Sequence, residues 1–169
     1  MNIVKYIILF LIFSISCLIG KAKSDTYSKR VIELRQLENL FIQLKNKIKF
    51  TYKPLGEIFE ELEKININPL KDFLIKIREN MEKYSFSISW EKAIKNIEWN
   101  INNEDKSILA ELGYTLGKSD VEGQENEIEL VIKFIEKQIE KAEYEKNKNS
   151  KIYKTLGKVI GLGIVIILI

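Results

Sequence analysis

Apolar residues along this chain fall into two patterns. At either end they run together: Ile3–Gly20 reads IVKYIILFLIFSISCLIG, and Lys158–Ile169 reads KVIGLGIVIILI. Between those ends they recur every three or four residues, the spacing that lines one face of a helix. Leu34, Leu37, Phe41, Leu44 and Ile48 make such a stripe in a helix predicted over about Asp25–Thr51. Pro54 suits the first turn of a second helix, where its missing N–H costs nothing, and Leu55, Ile58, Phe59, Leu62 and Ile65 form its stripe. Asn68-Pro69 predicts a third start, an N-cap side chain followed by Pro, with Leu70, Phe73, Leu74, Ile77 and Met81 facing inward.

A loop over Tyr84–Ser89 follows, with Ser89 as the cap of a fourth helix lined by Trp90, Ile94, Ile97 and Ile101. Asn103 is placed to cap a fifth, with Glu104 and Asp105 near its positive end and Ile108, Leu109, Leu112 and Leu116 inside. Gly117 is a natural stop, and Ser119 or Asp120 caps a long last helix. Its inner face is Ile128, Val131, Ile132, Ile135, Ile139 and Ala142, and no breaker appears between Gln124 and Leu156. No segment alternates as a strand does. The expected fold is all-α, a bundle of about five to six helices whose stripes pack antiparallel where loops are short.

The two ends ask for a different solvent. Spanning a bilayer takes roughly 20 apolar residues. The first run meets this with Lys5 snorkelling to the headgroups. From Leu156 onward the second run has 14 residues, about 21 Å at the helical rise. It therefore spans only if Lys154 and Lys158 snorkel, the bilayer thins, or the segment inserts partway. Gly157-x-x-x-Gly161 is a small-residue pattern that allows close helix packing, a weak signal on its own. The expected organisation is an N-terminal transmembrane anchor at 1–20, a soluble α-helical domain at 21–151, and a C-terminal transmembrane segment at 152–169. Lys21, Lys23, Lys29 and Arg30 follow the first anchor, and Lys146, Lys148, Lys151, Lys154 and Lys158 precede the second. By the positive-inside rule the soluble domain faces the cytoplasm. A competing reading takes Cys17 as the lipidated residue of an exported lipoprotein acting as an envelope binding module. Ser16 fits the box before such a cysteine, but Ser14 stands where an aliphatic residue is wanted.

Composition narrows the chemistry. With 27 Lys/Arg interleaved among 24 Asp/Glu, the surface reads as solvated helix faces and argues against nucleic-acid binding. There is no His, which removes the usual general base and the commonest metal ligand. A single Cys forms neither an intrachain disulfide nor a zinc site. No phosphate-binding glycine loop and no nucleophile elbow is present. Glu60/Glu61 and Glu125/Glu127 sit among solvated charges, and Trp90 and Trp99 suit core anchoring better than a ligand box. The chain is expected to have no catalytic residue, cofactor, metal or small-molecule substrate.

The most distinctive stretch is ELGYTLGKSDVEGQ at 111–124: helix end, glycine stop, cap, new helix. As structure it is a tight turn between two helices; as function it is a corner offering polar groups to a partner. This stretch, the Trp90-Glu91 helix upstream, Lys-Pro-Leu at 53–55 and the closing LGKVIGLG resemble the stage III sporulation protein AB family, in order and over nearly the whole chain. The resemblance implies a role in endospore formation. Specifically, it implies a subunit of a secretion-like complex in the mother-cell membrane around the forespore. Its soluble part would be similar to the cytoplasmic domains of the type II secretion platform protein, and its partners would be other subunits of that complex, including a secretion-type ATPase, and the lipid bilayer. Gly113, Leu116, Gly117, Asp120, Gly123 and Gln124 carry over as interface candidates, the glycines for turn formation, Asp120 and Gln124 for capping or contact.

Overall fold

The structure is a computed structural model describing residues 2–51 and 53–168. Six helices follow in order: α1 (Asn2–Thr51), α2 (Leu55–Ile65), α3 (Leu70–Met81), α4 (Phe86–Asn96), α5 (Asn103–Thr115) and α6 (Val121–Leu168). No strand occurs among the described residues. The chain forms two compact units, residues 32–140 and residues 1–31 with 141–169, and α1 and α6 contribute to both.

In the 32–140 unit the predicted stripes form the core. Leu34, Leu37, Phe41, Leu44 and Ile48 of α1 are buried, as are Ile128, Val131, Ile132, Ile135 and Ile139 of α6. At the centre lies Trp90, 1% exposed. Phe73 meets its ring edge-on at 5.0 Å, and Phe86, Phe59 and Phe41 surround it at 5.5, 6.2 and 6.4 Å. Full burial of each such ring contributes roughly 1.5–3 kcal/mol, and ring pairs add about 0.5–1.5 kcal/mol each. Salt bridges decorate the rim: Lys49–Glu125 at 2.9 Å and Lys45–Glu129 tie α1 to α6, and Lys47–Glu61 ties α1 to α2. At such exposure each contributes little, because water and salt screen the pair.

Several boundaries differ from the pattern reading. Pro54 is the N-cap of α2, not its first helical residue; it is extended, and its carbonyl accepts from Glu57 and Ile58. Ile65 ends α2 at 61% exposure, past the last turn that meets the core. No side chain caps α3; Asn68-Pro69 is a cis peptide and Pro69 takes the N-cap position. The fourth helix begins earlier than expected, with Ser85 at the N-cap position and no side-chain cap, because the half-buried Phe86 stacks on Phe59 and packs against Trp90. Ser89 is then an interior residue, its hydroxyl donating to the Ser85 carbonyl at 2.9 Å. That helix also ends early. Ile97 and Ile101 are buried from a loop, not from a helix. Glu33 of α1 holds the loop, accepting the Asn100 backbone N–H at 2.6 Å and its side-chain amide at 2.5 Å. The fifth helix is capped by Asn102 and not Asn103, since only Asn102 stands three residues before Asp105. The two exchange side-chain and backbone bonds at 2.8 and 2.9 Å in a capping box.

The other unit pairs the two apolar ends as antiparallel helices. Gly20 and Gly157 face each other so closely that a methyl on Gly157 would lie 2.8 Å from the Ser16 carbonyl oxygen and 3.0 Å from Gly20 Cα. A methyl on Gly161 would lie 2.9 Å from the Phe13 ring. The Gly157/Gly161 pattern thus meets Ser16/Gly20 on α1, a pairing the sequence reading left unassigned. Farther along, Ser24 and Ser150 share a hydroxyl hydrogen bond, Tyr27 stacks on Tyr153 at 5.8 Å, and Arg30 donates to Glu145 at 2.7 Å. α1 carries the stretch long and apolar enough, by length and composition, to cross a membrane. Cys17 lies within it as a half-buried free thiol.

Candidate functional site

The corner between α5 and α6 is built by the residues that made it stand out. Leu116, 2% exposed, closes α5 with its N–H on the Leu112 carbonyl at 3.0 Å. Gly117 then takes φ +82°, the left-handed turn that favours glycine. From the start of α6, Gln124 reaches back: its Oε1 accepts the Gly117 N–H at 3.2 Å, and its Nε2 donates to the Ser119 carbonyl at 3.0 Å. Asp120 is the N-cap, its Oδ1 accepting the Gly123 N–H at 2.9 Å. Gly123 packs under Ser119, where a methyl would come within 2.8 Å of its Cβ.

Gly113 lies one turn before the corner and does a separate job. The Trp90 indole lies flat against it, and a methyl there would fall 2.2 Å from Trp90 Cδ1. The same indole donates its N–H to the Leu109 carbonyl at 2.7 Å. Gly113 and Leu116 are therefore buried structural residues. Gly117 and Asp120 are exposed, and Gly123 and Gln124 are half-buried. The side chains the corner turns outward are Lys118, Ser119, Asp120 and Glu122. The signal for Lys118 and Ser119 was their place between a helix stop and a helix cap, where a chain has no core to face; Asp120 is that cap and Glu122 lies in the first turn of α6. Beside the corner, α5 and α6 leave a groove of 210 Å³ in which Leu130 and Phe134 stay 54% and 40% exposed and Glu111 and Glu127 supply acid.

The electrostatics of the 32–140 unit are those of paired surface charges. Hydrogen bonds from Lys47 and then Lys53 hold the Glu61 carboxyl down to about 2. Lys64, Lys95 and Lys45 lower Glu60, Glu91 and Glu129 in the same way. Carboxylates moved in this direction stay ionised and do not serve as general acids near neutral pH. Among the described residues, no group of three or more acids, His or Cys converges as a metal site would. Trp90 and Trp99 do not face each other across a box; both pack on Phe73, Trp99 edge-on at 5.5 Å.

Comparison with known proteins gives a consistent result. Residues 5–169 match the sequence profile of the stage III sporulation protein AB family. The chain is 28% identical over 154 residues to stage III sporulation protein AB of Bacillus subtilis (strain 168), covering 88% of this chain and 90% of that one. Its fold is similar to a solved structure of stage III sporulation protein AB, with a TM-score of 0.63 at 21% identity, over 70% of this chain and 96% of that one.

Proposed function

The chain belongs to the stage III sporulation protein AB family, and on that premise we propose that it is a non-enzymatic, membrane-anchored subunit of a secretion-like sporulation complex. Residues 1–20 and 152–169 are its membrane segments, in the mother-cell membrane around the forespore. Residues 21–151 face the cytoplasm and dock neighbouring subunits, a secretion-type ATPase among them. The mechanism is mechanical: ATP chemistry belongs to the partner, and this chain supplies a fixed surface at the bilayer.

The observation that carries this reading is the α5–α6 corner. Its backbone is tied down by Asp120 and Gln124, so that Lys118, Ser119 and Glu122 project from a preorganised frame. A rigid presenting loop lowers the ordering entropy that docking must overcome. Because Asp120 and Gln124 maintain the frame, the test reverses the outward charges instead. Lys118→Glu with Glu122→Lys should abolish co-purification of the ATPase and lower spore counts, with helical content unchanged by circular dichroism. Full co-purification and normal sporulation by that variant would reject the corner as the docking site.

A further inference from the structure

Charge is divided unevenly between the two units. Residues 32–140 carry 16 Lys/Arg and 21 Asp/Glu, whereas residues 1–31 with 141–169 carry 11 Lys/Arg and only 3 acids, Asp25, Glu143 and Glu145. In the first group the lysines meet carboxylates: Lys45, Lys47, Lys49, Lys53, Lys64 and Lys95 each bind a Glu. In the second, Glu145 is taken by Arg30. Lys146, Lys151, Lys154 and Lys158 line one shallow polar face of α6 with Asn147, Ser150 and Thr155 between them. No acid lines that face. Ammonium groups one or two turns apart on a helix repel, and nothing in the face offsets the repulsion.

An apolar slot of 430 Å³ lies in the same unit, between α1 and α6. Ile19, Leu156 and Ile160 wall it, and Gly20 and Gly157, packed backbone to backbone, form its floor. Lys23 of α1 and Tyr153 of α6 stand at one end. A greasy slot closed by a cation and a phenol, in a unit that also carries an acid-free row of lysines, matches one class of ligand: a molecule with an alkyl chain and an anionic head.

The geometry points to a binding site for an anionic phospholipid. One acyl chain lies along Ile19, Leu156 and Ile160. Its phosphodiester meets the Lys23 ammonium and the Tyr153 hydroxyl, and Lys151, Lys154 and Lys158 gather further anionic headgroups. This rests on the membrane-anchored reading of the ends but asks more of them: orienting lysines need no lipid preference, and a site has one.

The test uses the purified full chain in neutral detergent, with phosphatidylglycerol or phosphatidylcholine added and bound lipid counted by native mass spectrometry. Phosphatidylglycerol should be retained over phosphatidylcholine by at least about fivefold, the contribution of a single lysine near an anionic group. Lys23→Gln, and separately Lys151→Gln/Lys154→Gln/Lys158→Gln, should reduce that ratio toward one while circular dichroism stays unchanged. Equal retention of the two lipids, or an undiminished ratio in both variants, would overturn the proposal. So would displacement of the lipid by inorganic phosphate, which would show a simple anion site. Resistance of the wild-type chain to carbonate extraction from membranes is scored separately. A chain that washes off defeats the anchoring, and the lipid ratio is still read in micelles.

Discussion

Adding one methyl group at Gly113 should destabilise the 32–140 unit more than any other single-atom change at a glycine there. The new Cβ would lie 2.2 Å from Trp90 Cδ1, 2.5 Å from Cγ and 2.9 Å from Nε1, all in a rigid ring. The indole cannot slide freely, because Phe41, Phe59, Phe73 and Phe86 pack around it and its N–H is fixed on the Leu109 carbonyl at 2.7 Å. Overpacking a core costs about 1–3 kcal/mol. Pulling the indole N–H off its buried acceptor costs about 1–3 kcal/mol more. Against this, Ala improves on Gly in a helix by about 1 kcal/mol. The net expectation for Gly113→Ala is a loss of about 1–5 kcal/mol, or about 2–20 °C in Tm for a chain of this size.

The matched control is Gly56→Ala in α2, where an added methyl meets nothing within 4 Å. It should gain up to about 1 kcal/mol. Both are measured on the detergent-solubilised full chain by thermal and urea unfolding, followed by the fluorescence of Trp90 and Trp99. In a Trp90→Phe background the smaller ring makes room, and the Gly113→Ala penalty should shrink, a coupling that a double-mutant cycle reads directly. If Gly113→Ala matched the wild-type midpoint while Gly56→Ala raised it, the close approach would not be what keeps glycine at 113.

Two further outcomes follow from the same structure. Gly117→Ala places a side chain at φ +82° and should cost about 1–2 kcal/mol, with Gly117→Asn costing less; equal midpoints for the two would contradict the left-handed turn. Glu61, held down from 4.5 to about 2 by Lys47 and Lys53, contributes stability that is present above pH 4.5 and lost as pH falls toward 2. Glu61→Gln should flatten the plot of Tm against pH across that window, more visibly at low salt because the pair is part-exposed. An unchanged slope there would mean the ion pairs do not form in solution.

The helices and their inner faces were legible because periodicity alone encodes them. Leu34 through Ile48 and Ile128 through Ile139 are buried as their spacing demands. What stayed hidden was decided by partners distant in sequence. The end of α4 is set by Glu33, a residue that looks like any other acid on the polar side of α1 until Asn100 is seen to bind it. The start of α4 is set by Phe86 finding Phe59, which outweighs the cap that Ser89 seemed to offer. Gly113 and Leu116 read as part of a docking motif, yet one makes room for Trp90 and the other fills the core. Gly117 could be placed from sequence, and the cap after it narrowed to Ser119 or Asp120, because glycine stops and caps are local, needing only neighbours within a few residues; the structure selects Asp120.

The ties between α1 and α6 bear on how the chain is made. Lys45 meets Glu129 and Lys49 meets Glu125, partners 84 and 76 positions apart. A ribosome adding about 5–20 residues per second delivers the second member of each pair some 4–17 s after the first. The 32–140 unit therefore cannot close until nearly all of it has emerged. A growing polypeptide stalled before Glu125 holds a first helix with its final neighbour still untranslated, a state open to capture by chaperones or proteases.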